Sequence, residues 1–112
     1  MSIHIIRFRA NKNQLNEMLE ALGTYIKIAV DVQRNILVGG GSLHADCGAV
    51  LLDDGSRQED VWGADWIPAT GELRCEARIN IRPQQNNPAM EILDSSVRDR
   101  IKEIVQHLLE GV

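Results

Sequence analysis

Residues 60–82 read DVWGADWIPATGELRCEARINIR, and this stretch decides the fold. From residue 72 to residue 82, apolar side chains at odd positions alternate with polar side chains at even positions, which is typical of a strand with one buried face. Residues 60–67 predict the partner strand, and the connection at residues 68–71 (PATG) is rich in turn-forming residues. The stretch therefore predicts an antiparallel β-hairpin.

The two tryptophans, Trp62 and Trp66, select the register of this hairpin. With an even number of turn residues, Trp66 lies opposite Leu73 and both indole rings face the core. A turn one residue longer or shorter would expose both rings, because a slip of one residue exchanges the two faces of a strand. The same register places Asp65 opposite Arg74 on the solvent face.

Two amphipathic segments predict helices. The first begins at Asn11, with Gln14 as its capping-box partner, and ends at Gly23. The second begins after residues 94–96 (DSS) and ends at Gly111. Their apolar stripes have helical spacing and comprise Leu15, Met18, Leu19 and Leu22 in the first helix, and Val97, Ile101, Ile104, Val105, Leu108 and Leu109 in the second.

The remaining segments predict further strands. Residues 3–8 form a short apolar run, and residues 25–32 alternate as in a half-buried strand. Residues 36–38 are the expected antiparallel partner of that strand, and the three glycines at 39–41 are expected to end it. Residues 43–55 fit either a strand or a short helix, and we favour the helix.

These elements predict one α+β domain over residues 1–112. It contains an antiparallel or mixed sheet of four to five strands, with the two long helices packed on one face. A chain of 112 residues with 44% hydrophobic residues can build such a core without disulfides. The residues predicted to be buried are Leu19, Ile28, Val30, Trp62, Cys75, Ile79, Ile101, Ile104 and Leu108.

The composition of the chain excludes some classes of binding partner. A net charge of −4 argues against nucleic acid, because phosphate backbones are bound by clustered Lys and Arg. No segment approaches the roughly 20 apolar residues of a membrane span, and the N-terminus lacks the pattern of a signal peptide. We therefore expect no membrane association, a cytoplasmic location and a free, buried Cys75 that is not bonded to Cys47. No phosphate loop, dinucleotide fingerprint or metal motif is present, so the sequence predicts no cofactor and no metal.

The candidate site residues are His44, Asp46, Asp60 and Arg82. His44 and Asp46 would share a face of a strand but lie nearly opposite each other on a helix. The hairpin register places Asp60 on the core face, where a carboxylate needs a partner or a shifted pKa. Arg82 ends the same hairpin, and we expect it, Asp60 and His44 to lie together at one end of the sheet.

Residues 80–88 form a second polar stretch. This loop carries five side-chain amides, at Asn80, Gln84, Gln85, Asn86 and Asn87. Such amides can bind a polar ligand or can satisfy the backbone of the loop itself, and the second role is the commoner one.

Three strings resemble a family of small prokaryotic proteins of unknown function. They are LHAD at residues 43–46, DGSRQEDVWG at 54–63 and INIRPQQ at 79–85. The resemblance extends from about residue 30 through the last helix, and Cys47 and Gly48 stand where that family has helix formers. It implies a small globular cytoplasmic domain and brings no activity with it.

Two functions stay open. The favoured one is a non-enzymatic binding or protein-interaction module, either a homodimer or the receptor of a small polar or anionic ligand. The alternative is a small hydrolase-like or metal-dependent enzyme. It would use His44 as acid, base or ligand, Asp46 and Asp60 as carboxylates, and Arg82 to hold an anionic substrate.

Overall fold

The computed structural model describes residues 2–112 as a five-stranded antiparallel sheet with three helices. The strands lie in the order β1-β3-β2-β4-β5, and every neighbouring pair is antiparallel. The elements are β1 (His4–Ile6), α1 (Lys12–Leu19), β2 (Ile26–Asp31), β3 (Ile36–Gly41), α2 (His44–Asp53), β4 (Val61–Ile67), β5 (Glu72–Arg74) and α3 (Ser95–Leu108). The predicted α+β class is confirmed.

Helices cover both faces of the sheet. Side chains of α1 and α3 share one core cluster with Ile28, Val30 and both tryptophans. Helix α2 covers the opposite face, where Cys47 and Leu51 pack against β2 and β3. The sequence predicted a half-buried β2, and this was wrong, because Ala29 and Asp31 on its second face are fully buried, Ala29 in the cluster under α2.

Most of the predicted core is buried, but three members are only half-buried. Ile28, Val30, Trp62, Ile101, Ile104 and Leu108 are buried as expected. Leu19 and Cys75 flank the α1/α3 cluster, whereas Ile79 packs on the α2 side of the sheet. Ile79 was assigned to the wrong face because residues 78–80 form a 3₁₀ turn instead of continuing a strand.

The helix ends follow local side chains. At α1 the predicted capping box is confirmed, since the side chains of Asn11 and Gln14 each accept from the other's backbone amide. Gly23 adopts the left-handed conformation expected after that helix, at φ +85°. Helix α3 begins two residues earlier than predicted because Asp94 is its N-cap and accepts from the amide of Ser96 at 2.8 Å.

The prediction that residues 39–41 end β3 was wrong, because the strand continues through all three glycines. A Cβ on Gly39 would lie 2.9 Å from Ile26 Cγ2 and 3.0 Å from Met18 Sδ. A Cβ on Gly40, where φ is +105°, would lie 2.0 Å from the carbonyl oxygen of Ser2. The glycines therefore allow α1 and the N-terminal segment to lie directly against the strand.

The β4–β5 hairpin has the predicted register, with Trp66 opposite Leu73 and Asp65 opposite Arg74. Its second strand nevertheless ends at Arg74, so the predicted eleven-residue strand was wrong. Beyond it the backbone turns to another partner, and Ala77 donates to the carbonyl of Met90 at 3.1 Å.

Gly63 and Asn80 explain why the long strand fails. The amide of Gly63 donates to Asn80 Oδ1 at 2.8 Å, and Asn80 Nδ2 donates to the carbonyl of Gly63 at 3.0 Å. A buried side chain thus replaces the missing strand at this point of β4. A Cβ on Gly63 would lie 2.5 Å from Ala77 Cβ, so the chain after β5 crosses over Gly63 instead of pairing beside it.

No helix within residues 2–112 has the length and apolar character needed to cross a bilayer.

Candidate functional site

The central feature of the candidate site is the contact between His44 and Asp65. Helix α2 begins at His44 and packs against β4, where His44 contacts Ala64 and Asp65. His44 Nε2 lies 2.7 Å from Asp65 Oδ1 and 3.0 Å from the carbonyl oxygen of Ala64. Both side chains are largely withdrawn from solvent, with 12% of His44 and 19% of Asp65 exposed.

These two contacts determine which nitrogen of His44 carries the proton. A backbone carbonyl can only accept a hydrogen bond, and an ionised carboxylate also accepts. Nε2 therefore donates, and in the neutral ring Nδ1 holds the lone pair. Asp65 thereby orients the imidazole and leaves one basic nitrogen for another molecule.

A cleft of about 620 Å³ surrounds the pair. This volume falls within the range of small-molecule sites, about 300–1,000 Å³. The cleft combines charged groups of both signs with apolar side chains. Its lining consists of Lys27, Leu43, His44, Ala45, Asp65, Glu76, Ala77, Arg78 and Met90. We call it the His44 cleft.

Asp46 does not join His44. Residues 43–55 contain the favoured helix, α2 (His44–Asp53). Two residues along a helix are separated by about 200° around its axis. Asp46 is exposed and does not line the His44 cleft.

Asp60 lies away from the core position predicted for it. It ends a 3₁₀ turn before β4 and is half-buried, and Ile79 is not its strand partner. Its amide donates to the carbonyl of Arg57 and its carbonyl accepts from the amide of Val32. Within residues 2–112 its carboxylate forms no hydrogen bond or ion pair, so the hydrogen bonds of Asp60 are made by its backbone atoms alone.

Arg82 is buried, with 3% of its surface exposed, and its guanidinium binds backbone carbonyls. Its guanidinium donates to the carbonyl oxygens of Gln58, at 2.6 Å, and Val61, and to Gln85 Oε1. The same group lies 4.0 Å from the ring centre of Trp62, a cation–π distance. Burial lowers the pKa of Arg82. The predicted role of Arg82 in holding an anionic substrate is not supported, because its guanidinium donors stabilise the turn before β4.

The predicted cluster of His44, Asp60 and Arg82 is therefore not formed. Arg82 contacts the first residue of β4, whereas His44 contacts Asp65, four residues further on. Four residues of strand span about 13 Å. The expectation of one shared neighbourhood was wrong for His44, because α2 places it at the other end of β4.

The amides of the 80–88 loop satisfy backbone groups. Asn87 is buried and its Nδ2 donates to the carbonyls of Asn80, Ala89 and Glu91, while its Oδ1 accepts from the amide of Leu93. Together with the contacts of Asn80 to Gly63, these bonds show the structural role for the two buried amides.

The thiols do not form a nucleophile in this cleft. Cys47 is fully buried, its Sγ donates to the carbonyl of Lys27 at 3.4 Å, and burial raises its pKa. Burial also raises the pKa of Cys75. Because Cys47 packs on the α2 face and Cys75 beside the α1/α3 cluster, the sheet separates the two thiols.

Asp65 is the site residue that the sequence did not identify. It was assigned to a solvent face, but the odd-numbered side chains of β4 point toward α2, which covers that face. The placement of α2 over β4 was the missing information. Among residues 2–112, no group of three His, Cys, Asp or Glu side chains is arranged to hold a metal ion.

Neither the curated proteins nor the solved structures contain a match to this chain. A family model described as a protein of unknown function (DUF5674) matches residues 4–108, which span every strand and helix of the sheet domain. The chain therefore belongs to the DUF5674 family of proteins of unknown function.

Proposed function

We propose that this chain is a non-enzymatic binding module and that the His44 cleft takes a small zwitterionic ligand. A free amino acid and the end of a short peptide have this chemistry. The observation that carries the proposal is the mixed charge of the cleft: Lys27 and Arg78 face the same space as Asp65 and Glu76. A ligand with one carboxylate and one ammonium group matches both signs.

The apolar side chains that line the cleft and the oriented ring of His44 also fit a small zwitterionic ligand. Leu43 and Met90 are 56% and 44% exposed, and both line the cleft, where they can cover an apolar side chain of the ligand. Nδ1 of His44 accepts a hydrogen bond from the ligand ammonium. Arg78 is in none of the ion pairs formed within residues 2–112, so its guanidinium is available to a carboxylate.

The lining also favours binding over catalysis by a hydroxyl or thiol nucleophile. None of the side chains that line the cleft in the described part of the chain carries a hydroxyl or a thiol. A mechanism of the serine, threonine or cysteine type requires such a group beside the base. The enzyme alternative is further weakened because Asp46, Asp60 and Arg82 lie away from His44.

A thermal-shift panel of amino acids, dipeptides and simple carboxylates tests the proposal. A ligand that binds only the folded state at about ten times its Kd stabilises it by about 1.4 kcal/mol. We expect amino acids or dipeptides, but not simple carboxylates, to raise the Tm of the wild type. The H44Q and D65N variants should lose this shift.

Two matched variants control for charge and residue type. H4Q changes a half-buried histidine that contacts Glu17, and D53N changes an exposed carboxylate at the far end of α2. Both should keep the shift. A panel without any stabilising zwitterion, or an equal shift in H44Q and the wild type, would contradict the proposal.

A further inference from the structure

A second groove lies apart from the His44 cleft and shares no lining residue with it. It has a volume of about 450 Å³. Three arginines surround it, one after β1, one in the β2–β3 turn and one on α3. The full lining is Arg7, Arg34, Asn35, Arg100, Glu103, Ile104, His107 and Leu108. We call it the arginine groove.

The arginines are held in place by a few defined contacts. Arg7 and Arg34 each place Nη2 at 2.6 Å from a different oxygen of Asp54. Arg34 also donates to Ser56 Oγ at 2.8 Å. One carboxylate thus orients two guanidiniums, and their hydrogen bonds hold the pKa of Asp54 below its usual value.

The third arginine is held more loosely. Arg100 donates to Asn35 Oδ1 and lies 3.3 Å from Glu103, an exposed partner on the same helix. An exposed pair of this kind contributes little to stability, so Glu103 can give way to a competing anion.

The three arginines of this groove keep positive charge that is not balanced and N–H donors that the contacts above do not use. Asp54 balances only one of the two guanidiniums that it contacts. Each guanidinium has five N–H donors. The contacts above use one donor of Arg7 and two each of Arg34 and Arg100. This positive surface occurs on a chain with a net charge of −4, so it does not reflect the overall composition.

We propose that the arginine groove binds a small phosphoryl anion. Guanidinium groups match the oxygens of a phosphoryl group with paired hydrogen bonds, and three of them around one space suit a ligand with several negative charges. The groove is larger than one phosphate requires, and the outer edges of the core residues Ile104 and Leu108 form its floor. This site is independent of the His44 cleft.

Calorimetric titration with inorganic pyrophosphate tests the site. The wild type should bind pyrophosphate, and binding should weaken as ionic strength rises. R34Q and R100Q should each weaken binding about ten- to hundredfold, the usual effect of losing a hydrogen bond to a charged group. R100Q is the safer variant for folding because Arg100 lies on a solvent-facing part of α3.

R74Q is the matched control, since it removes the same charge from β5, where Arg74 pairs with Glu72 outside the groove. R74Q and H44Q should bind pyrophosphate as the wild type does. The test of the arginine groove is therefore independent of whether the His44 cleft binds a zwitterionic ligand. Absence of pyrophosphate binding, or equal binding by R34Q, R100Q and R74Q, would overturn the proposal. Retention of duplex DNA through Arg34 and Arg100 without pyrophosphate binding would overturn it in favour of a nucleic-acid surface.

Discussion

Asn80 is the side chain whose removal tests the fold most sharply. It is fully buried, and its amide binds the N–H and the C=O of Gly63 and the C=O of Met90 at 2.8, 3.0 and 3.1 Å. In N80A the N–H and the C=O of Gly63 lose this partner, whereas the C=O of Met90 keeps its hydrogen bond from the amide of Ala77. A buried polar group without a partner costs about 1–3 kcal/mol. We therefore expect N80A to lower the free energy of unfolding by about 3–5 kcal/mol.

A second substitution at the same position separates the donor from the acceptor. N80D keeps the shape and the acceptor oxygen, but it places a second oxygen against the carbonyls of Gly63 and Met90. This puts acceptor against acceptor and buries a charge. N80D should therefore destabilise the protein at least as much as N80A.

Urea unfolding followed by tryptophan fluorescence measures both effects. With an m-value of about 1–3 kcal/mol/M, the midpoint of N80A should fall by at least about 1 M. N13A is the control, because Asn13 is exposed on α1, and it should stay within about 0.5 kcal/mol of the wild type. If N80A costs less than about 1 kcal/mol, or N80D behaves like the wild type, Asn80 does not replace a strand partner.

Three further outcomes are expected. I104A should lower the free energy of unfolding in urea by about 2–5 kcal/mol, because it opens a cavity between α3 and the sheet. D54N should destabilise the protein at neutral pH. Because Arg7 and then Arg34 lower the pKa of Asp54, its contribution is complete above the unfolded value of about 3.9. The difference between D54N and the wild type in urea titrations should therefore shrink as pH falls below that value and be lost as pH falls through the lower pKa of the folded state. Cys47 should resist alkylation until the protein unfolds, as mass spectrometry can show, because burial raises its pKa and blocks access.

Local patterns in the sequence predicted the elements that depend on neighbouring residues. The capping box of Asn11 and Gln14 depends on side chains three positions apart, and the helical stripes depend on the spacing of apolar residues. The hairpin register followed from the two tryptophans, since only one parity buries both. In each case the controlling interaction lies within about one turn of helix or one hairpin, so it is visible in the sequence.

The alternation of apolar and polar side chains gave a wrong prediction at residues 75–82, where the alternation continues although the strand ends at Arg74. Strand alternation records which side chains are buried, not which backbone is the partner. Here Gly63 lets the chain cross the sheet, and Asn80 takes over the hydrogen bonds of a strand. Such a replacement pairs residues 17 positions apart, and nothing in the neighbourhood of either residue reveals it.

The amino-acid sequence by itself determined the α+β class, the capped helices and the register of the hairpin, because short-range geometry and hydrophobic burial decide these. It also identified His44 as a candidate. Only the tertiary structure decided its partner, because packing α2 across the second face of the sheet brings Asp65 to the imidazole from 21 positions away. The arginine groove has the same origin: strand order and the position of α3 bring together charges that the sequence disperses between residues 7 and 100.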